Sequence, residues 1–109
     1  MTPDGLLVRF LLSVDAHVAS SRPPGSHKRD RPRRLVVSNK FTSVRRCLAI
    51  PAIGQHVEVA PGIEYCQVRG AVYRMDGTLD VGLDALSITG EEQADAIARL
   101  KAAGWLEYP

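Results

Sequence analysis

Apolar and polar residues alternate along short segments of this chain, and turn residues separate those segments. The first segment runs from residue 6 to residue 14 and places five apolar side chains on one side, namely Leu6, Val8, Phe10, Leu12 and Val14. A period of two residues is typical of a β-strand, whereas a helix repeats every 3.6 residues. The chain is therefore predicted to begin with a strand that buries one face.

Further strands are predicted at residues 35–41, 42–50, 56–59, 63–75 and 79–83. Pro51 ends the third strand, because proline cannot donate a ladder hydrogen bond. Asp76-Gly77 lies between the last two strands and strongly indicates a tight hairpin turn. Gly70 lies within the longest segment, where a glycine often marks a bulge or a bend.

The C-terminal residues 90–103 are predicted to form a helix. Thr89 can cap its N-terminus, and Glu92, three residues later, would complete a capping box. Gly104 suits the position just after the last turn. We expect Trp105 to fold back onto the sheet.

These elements predict a mainly β domain of the α+β class. The expected architecture is a small antiparallel β-barrel or rolled sheet of about five strands with one C-terminal α-helix. Residues 51–83 contain Pro51, Gly54, two β-branched residues, a turn glycine, an aromatic residue and Asp76-Gly77. In that pattern of turn residues this stretch, about a third of the chain, resembles the hairpin core of SH3-like and OB-like barrels.

Length and composition indicate one domain over residues 1–109, long enough to bury a core without metal or disulfides. The chain has no apolar run that could span a membrane, and Asp4 lies where a signal peptide would carry a basic residue. Cys47 and Cys66 are predicted to be free thiols of a cytoplasmic protein, although spacing alone leaves open that they pair. A soluble cytoplasmic protein without membrane association is therefore expected.

Positive charge is concentrated between Arg22 and Arg46. That block has nine Lys or Arg residues and one acid, a net charge of +8; since the whole chain carries +2, the remainder carries −6. Turn and linker residues and Pro32 predict a long, flexible basic loop at residues 15–34. Arg45 and Arg46 are neighbours on a strand, so we expect them on opposite faces, which limits any single basic patch.

The basic block supports two kinds of partner. Cationic side chains that neutralise phosphates would bind nucleic acid with strong salt dependence. The predicted nucleic-acid-binding residues are Lys28, Arg29, Arg31, Arg33, Arg34, Arg45 and Arg46. The alternative is an acidic protein partner, or a second copy of the chain, bound along an exposed sheet edge. A third reading, a solvated loop without a specific ligand, also fits the charge count.

No pattern in the sequence indicates catalysis, a cofactor or a metal. Asp76, Asp80 and Asp84 are expected along a solvated edge, with the last two about 13 Å apart at strand rise. His17, His27 and His56 show no ligand spacing, and only a site of His56 with Cys47 and Cys66 is sterically conceivable. Tyr65 shares a strand face with Tyr73 and is expected in the core, although the two rings could instead form a platform that stacks on bases.

The resulting functional hypothesis is a small non-enzymatic binding module without cofactors. Nucleic acid bound through the basic loop is ranked narrowly ahead of a protein-interaction or homodimerisation module that uses an exposed sheet edge. The biological role and the identity of the partner stay open.

Overall fold

A computed structural model describes residues 6–19 and 34–108, which form a mostly β structure with a curled, half-barrel sheet and one short C-terminal helix. The seven strands of this described part are β1 (Leu6–Ala19), β2 (Arg34–Cys47), β3 (His56–Val57), β4 (Cys66–Tyr73), β5 (Leu79–Leu83), β6 (Leu86–Thr89) and β7 (Leu106–Tyr108). Helix α1 (Gln93–Ala102) follows a 3-10 turn at Gly90–Glu92. The sequence predicted about five strands, because segments as short as β6 and β7 carry too little alternation to stand out.

The strands β1 and β2 form one long antiparallel hairpin, paired from Leu6 with Cys47 to Ala19 with Arg34. The segments 35–41 and 42–50, predicted as two strands, are a single strand that ends at residue 47. Both ends of the predicted loop 15–34 are strand, since β1 continues to Ala19 and β2 begins at Arg34. In β1 the alternation continues past Val14, because Ala16 is buried between exposed or half-buried polar neighbours. The rest of that loop, residues 20–33, lies outside the described residues.

The sheet is mixed, with the order β3-β4-β5-β1-β2-β7. Both β5 and β6 pair with β1 in parallel, the first at Val8–Leu11 and the second at Val14–His17. The prediction of a purely antiparallel sheet is therefore wrong at β1. The alternation of apolar residues indicates which face of a strand is buried, but it does not indicate the direction of the strand. The direction depends on the path of the connections, here the long segment between β2 and β4.

The β4–β5 hairpin forms where Asp76-Gly77 predicted it. Gly77 has a φ of +90°, which favours glycine, and Asp76 Oδ1 accepts hydrogen bonds from the Thr78 backbone N–H at 3.0 Å and its Oγ1 at 2.7 Å. The pairing of β4 with β5 shifts register between Val68 and Gly70, at the glycine where the sequence indicated a bulge or a bend.

Helix α1 connects β6 to β7, which add to opposite sides of the β1–β2 hairpin. Thr89 Oγ1 donates to Glu92 Oε1 at 2.9 Å, but neither side chain caps a backbone group, so the predicted capping box does not form. After the helix, the N–H groups of Gly104 and Trp105 donate to the carbonyls of Lys101 and Leu100. This is a Schellman motif, and the φ of +95° at Gly104 explains the glycine.

The core lies on one face of the sheet, called here the core face, and the opposite side is called the open face. The buried side chains of β1, β2 and β5 meet those of α1 and of Val59 and Ala60; they include Val8, Phe10, Leu12, Val14, Phe41, Leu79, Val81, Leu100 and Trp105. Trp105 folds back onto the sheet as predicted, and its Nε1 donates to the Val59 carbonyl at 2.7 Å. This bond joins the end of the helix to the long segment between β2 and β4.

Substituting Trp105→Phe should lower the free energy of unfolding by about 1–3 kcal/mol, because the buried Val59 carbonyl loses its donor and a smaller ring fills the space. The exposed neighbour Leu106 offers a control: Leu106→Ala should change stability by no more than about 0.5 kcal/mol. Urea unfolding of both variants measures the difference. Equal losses in the two variants would contradict the proposed importance of the Trp105 contact.

Candidate functional site

The predicted basic residues are divided among different parts of the molecule. Lys28, Arg29, Arg31 and Arg33 lie outside the described residues. Arg34 opens β2 at the far end of the hairpin. The remaining two, Arg45 and Arg46, lie near the other end of the same strand. The predicted binding residues that the structure describes therefore lie at the two ends of β2.

Arg45 and Arg46 lie on opposite faces of the sheet, as predicted. Arg45 pairs across the sheet with Val8 on the core face, whereas Arg46 pairs with Leu7 on the open face. The Arg45 guanidinium carbon lies 5.7 Å from the centre of the Trp105 ring. Its Nη2 donates to the Ala103 carbonyl at 3.3 Å and its Nε to Ser43 Oγ at 3.2 Å. Arg45 thus has a structural role beside the core.

Distance separates the two groups further. Arg34 and Arg45 are eleven residues apart on one continuous strand, about 36 Å at the rise of a β-strand. The charges of the basic block that the structure describes are therefore spread along β2, and Arg45 and Arg46 lie on its two faces. The described part of the chain contains no single patch that combines Arg34 with Arg45 and Arg46.

The most distinctive feature of the described surface is the outer edge of β2. Strand β7 pairs with this edge only at Lys40–Thr42. Among the described residues no strand pairs with the outer edge over residues 34–39 or over residues 43–47, and in the second stretch Arg45 contacts the Ala103 carbonyl and the Trp105 ring. By contrast, β5 and β6 cover most of the opposite edge of the hairpin. An uncovered strand edge presents a row of unpaired N–H and C=O groups.

Three consecutive apolar residues lie on this free edge. Leu35 is 53% exposed, Val36 is 51% exposed and Val37 is 44% exposed. Leu35 and Val37 lie on the core face, because they pair across β1 with Val18 and Ala16, and Val36 lies on the open face. The sequence carried a signal for this surface, since an uninterrupted apolar run lacks the alternation of a half-buried strand.

The open face carries an ion-pair network that the sequence did not reveal. Arg9 donates to both carboxylate oxygens of Asp80, from Nε at 2.9 Å and from Nη2 at 2.8 Å, and Arg74 Nε lies 3.4 Å from the same carboxylate. Hydrogen bonding from Arg9 lowers the pKa of Asp80 against the opposing effect of desolvation. The expectation of a solvated carboxylate at Asp80 is wrong, because Arg9 covers it from the neighbouring strand.

A cleft of about 440 Å³ lies beside the start of α1 and is lined by acidic and apolar side chains. Its carboxylates are those of Glu64, Glu91, Glu92 and Asp95. Arg99 neutralises Asp95 at 2.7 Å and also donates to the Pro61 carbonyl at 3.3 Å. Ser87 also lines this cleft, and its Oγ lies 2.8 Å from His17 Nε2.

The tyrosines, histidines and cysteines form no joint site within residues 6–19 and 34–108. Tyr65 and Tyr73 are both exposed, so the expectation that Tyr65 lies in the core is wrong. The described residues bring together no group of three or more His, Cys, Asp and Glu that could hold a metal ion. His27 lies outside these residues.

The two cysteines are free, which resolves the question that their spacing left open. Cys66 is buried on β4, and burial raises the pKa of its thiol. A thiol with a raised pKa is a poor nucleophile at neutral pH, because the thiolate is the reactive form. Cys66 therefore belongs to the core rather than to a reactive site.

None of the helices in the described ranges has the length and apolar character needed to cross a membrane. Comparison of the chain with protein-family models, with curated proteins and with solved structures finds no match.

The Asp80 network predicts a specific pH dependence of stability. Because the folded-state pKa of Asp80 lies below its unfolded value of about 3.9, its contribution is present above that value and is lost as pH falls through the folded pKa. We expect Asp80→Asn to be less stable than the natural chain at about pH 6 and to lose less stability between pH 6 and about pH 3.

Asp84 provides the control, because its side chain is about half exposed, at 49%, and its ion pair with Arg69 spans 3.2 Å. Asp84→Asn should keep the acid dependence of the natural chain. Urea unfolding at both pH values measures all three proteins. If Asp80→Asn loses as much stability between pH 6 and about pH 3 as the natural chain does, the network does not stabilise the fold.

Proposed function

We propose that this chain is a small, non-enzymatic binding module that accepts a β-strand from a protein partner along the free edge of β2. The observation that carries the proposal is the uncovered edge over residues 34–39 with its exposed run Leu35, Val36 and Val37. An added strand would satisfy the backbone groups, and its side chains would cover the apolar run. Affinity would come mainly from the main chain.

The fold supports this proposal in a second way. Strand β7 already adds to the same edge by antiparallel pairing at Lys40–Thr42, so the twist of β2 is compatible with a further strand there. The free segment lies directly beside this pairing. Natural proteins usually protect such an edge with charge, proline or a covering element, and three consecutive apolar residues do the opposite.

Binding of nucleic acid is the second candidate. Two observations favour it: the net charge of +8 between Arg22 and Arg46, and the exposure of Tyr65 and Tyr73, which leaves both rings available to stack on bases. In this proposal residues 51–83 would serve as an OB-like binding surface. The protein edge ranks first, because Arg34 and Arg45 are too far apart to share one short ligand site and Arg45 contacts Trp105.

The cytoplasm is the proposed location for either function. The thiols of Cys47 and Cys66 are free, and free thiols suit a reducing compartment.

A photo-cross-linking amino acid at position 36 tests the protein-binding proposal. Benzoylphenylalanine in place of Val36 should form one defined protein adduct in producing cells, unaffected by nuclease, because a partner strand would lie against that edge. Position 44 is the control: Val44 lies on the same strand and the same face, is 58% exposed, and lies beyond β7. No adduct at position 36, or equal adducts at both positions, would contradict the proposal.

Salt dependence tests the nucleic-acid candidate. With a fluorescent single-stranded DNA, affinity should fall steeply between about 50 and about 200 mM salt. Replacing Arg31, Arg33 and Arg34 together with Ala should weaken binding and reduce the slope of log affinity against log salt by about 2. Arg69 lies on β4, away from β2, and offers the control. Arg69→Ala should keep at least two thirds of the natural chain's slope of log affinity against log salt. An affinity that does not change with salt concentration, or no binding at low salt, would reject this candidate.

A further inference from the structure

We propose that the strand accepted by the free edge is the same edge of a second copy of this chain, so that two β2 strands pair antiparallel about a two-fold axis at Val36. This inference rests on the proposed strand-accepting function and names its partner. The axis would join two half-barrel sheets into one continuous sheet. The same surface would be used by both copies, as two-fold symmetry requires.

The length of the free edge defines the pairing. Positions 34–39 are available between the start of β2 and the first residue that β7 covers, Lys40. With the axis at Val36, Leu35 of each copy lies opposite Val37 of the other, and the two Val36 residues face each other. Position 34 lies opposite Ser38. All three exposed apolar residues are then paired with apolar residues.

Other registers pair the same residues less well. An axis at Leu35 places position 34, an arginine, opposite Val36, so Val36 no longer has an apolar partner. An axis at Val37 places Arg34 opposite Lys40 of the second copy, which brings two cationic residues together at a position that β7 already occupies. The register about Val36 avoids both problems, so the sequence of this edge is self-complementary in one arrangement.

The faces of the strand are consistent with this arrangement. Leu35 and Val37 belong to the core face and Val36 to the open face. Antiparallel pairing keeps directly opposite residues on the same face, so Leu35 and Val37 would form apolar pairs on one side of the joined sheet and the two Val36 residues a pair on the other. Both sides of the junction would therefore be covered by apolar contacts.

The short edge sets the expected strength. About five residues from each copy would pair, a contact at the low end of the size range of specific interfaces. The dimer should therefore be weak and depend on protein concentration. We expect the purified full-length chain to pass from monomer to dimer between about 10 µM and about 1 mM.

Charge complementation at position 36 tests the axis. Val36→Lys and Val36→Glu each place like charges opposite one another, so each variant alone should stay monomeric over this concentration range in sedimentation velocity. An equimolar mixture of the two should form a heterodimer about threefold to tenfold more tightly than either variant forms a homodimer. Val36 is 51% exposed, and circular dichroism of each variant verifies that it folds.

The matched controls are Val44→Lys and Val44→Glu, which carry the same substitutions on the same strand and face. These variants should dimerise as the natural chain does. A natural chain that stays monomeric to about 1 mM, a mixture that does not pair better than its components, or equal effects at positions 44 and 36 would each overturn the second-copy proposal.

Failure of self-pairing can be told apart from failure of the strand-accepting function. If the chain is monomeric while the cross-linker at position 36 traps a different protein, the self-pairing is wrong and the strand-accepting edge stands. If the cross-linker at position 36 traps no protein, the strand-accepting function itself is wrong.

Discussion

The pairing of β1 on both of its edges is the constraint on which the rest of the structure depends. One edge pairs with β2 over all fourteen residues, and the other pairs with β5 and then with β6. The strands on the two sides of β1 therefore come from different halves of the chain, β2 from residues 34–47 and β5 and β6 from residues 79–89. Because β1 is paired on both sides, the free edge of the β1–β2 hairpin in the described sheet belongs to β2.

Local patterns predicted the parts of the fold that local physics determines. The alternation from Leu6 onward, the turn at Asp76-Gly77 and the glycine after the helix depend on residues that are close in sequence, and the structure has them where they were expected. The parallel direction of β5 and β6 depends on where a distant segment returns. No period in the sequence records such a path, so the prediction of an antiparallel sheet was wrong.

The same distinction holds for the candidate site. Arg45 and Arg46 were assigned to opposite faces from strand geometry alone, and the register confirms it. The environment of Asp80 could not be predicted, because its partner Arg9 lies 71 residues away in the chain. Tyr65 was misplaced for a related reason: an aromatic residue near a strand is a core residue only if another element covers it, and none of the described elements does so here.

The crossover from β6 through α1 to β7 has a consequence for synthesis on the ribosome. The β1–β2 hairpin can form as soon as residue 47 has emerged, but β6 and Trp105 complete its core only when nearly the whole chain is available. Until then the apolar row Val8, Phe10, Leu12 faces solvent. Folding dominated by such long-range contacts is slow, and the nascent hairpin is exposed to aggregation for that interval. Chaperone dependence would then be a property of the order in which the strands are made.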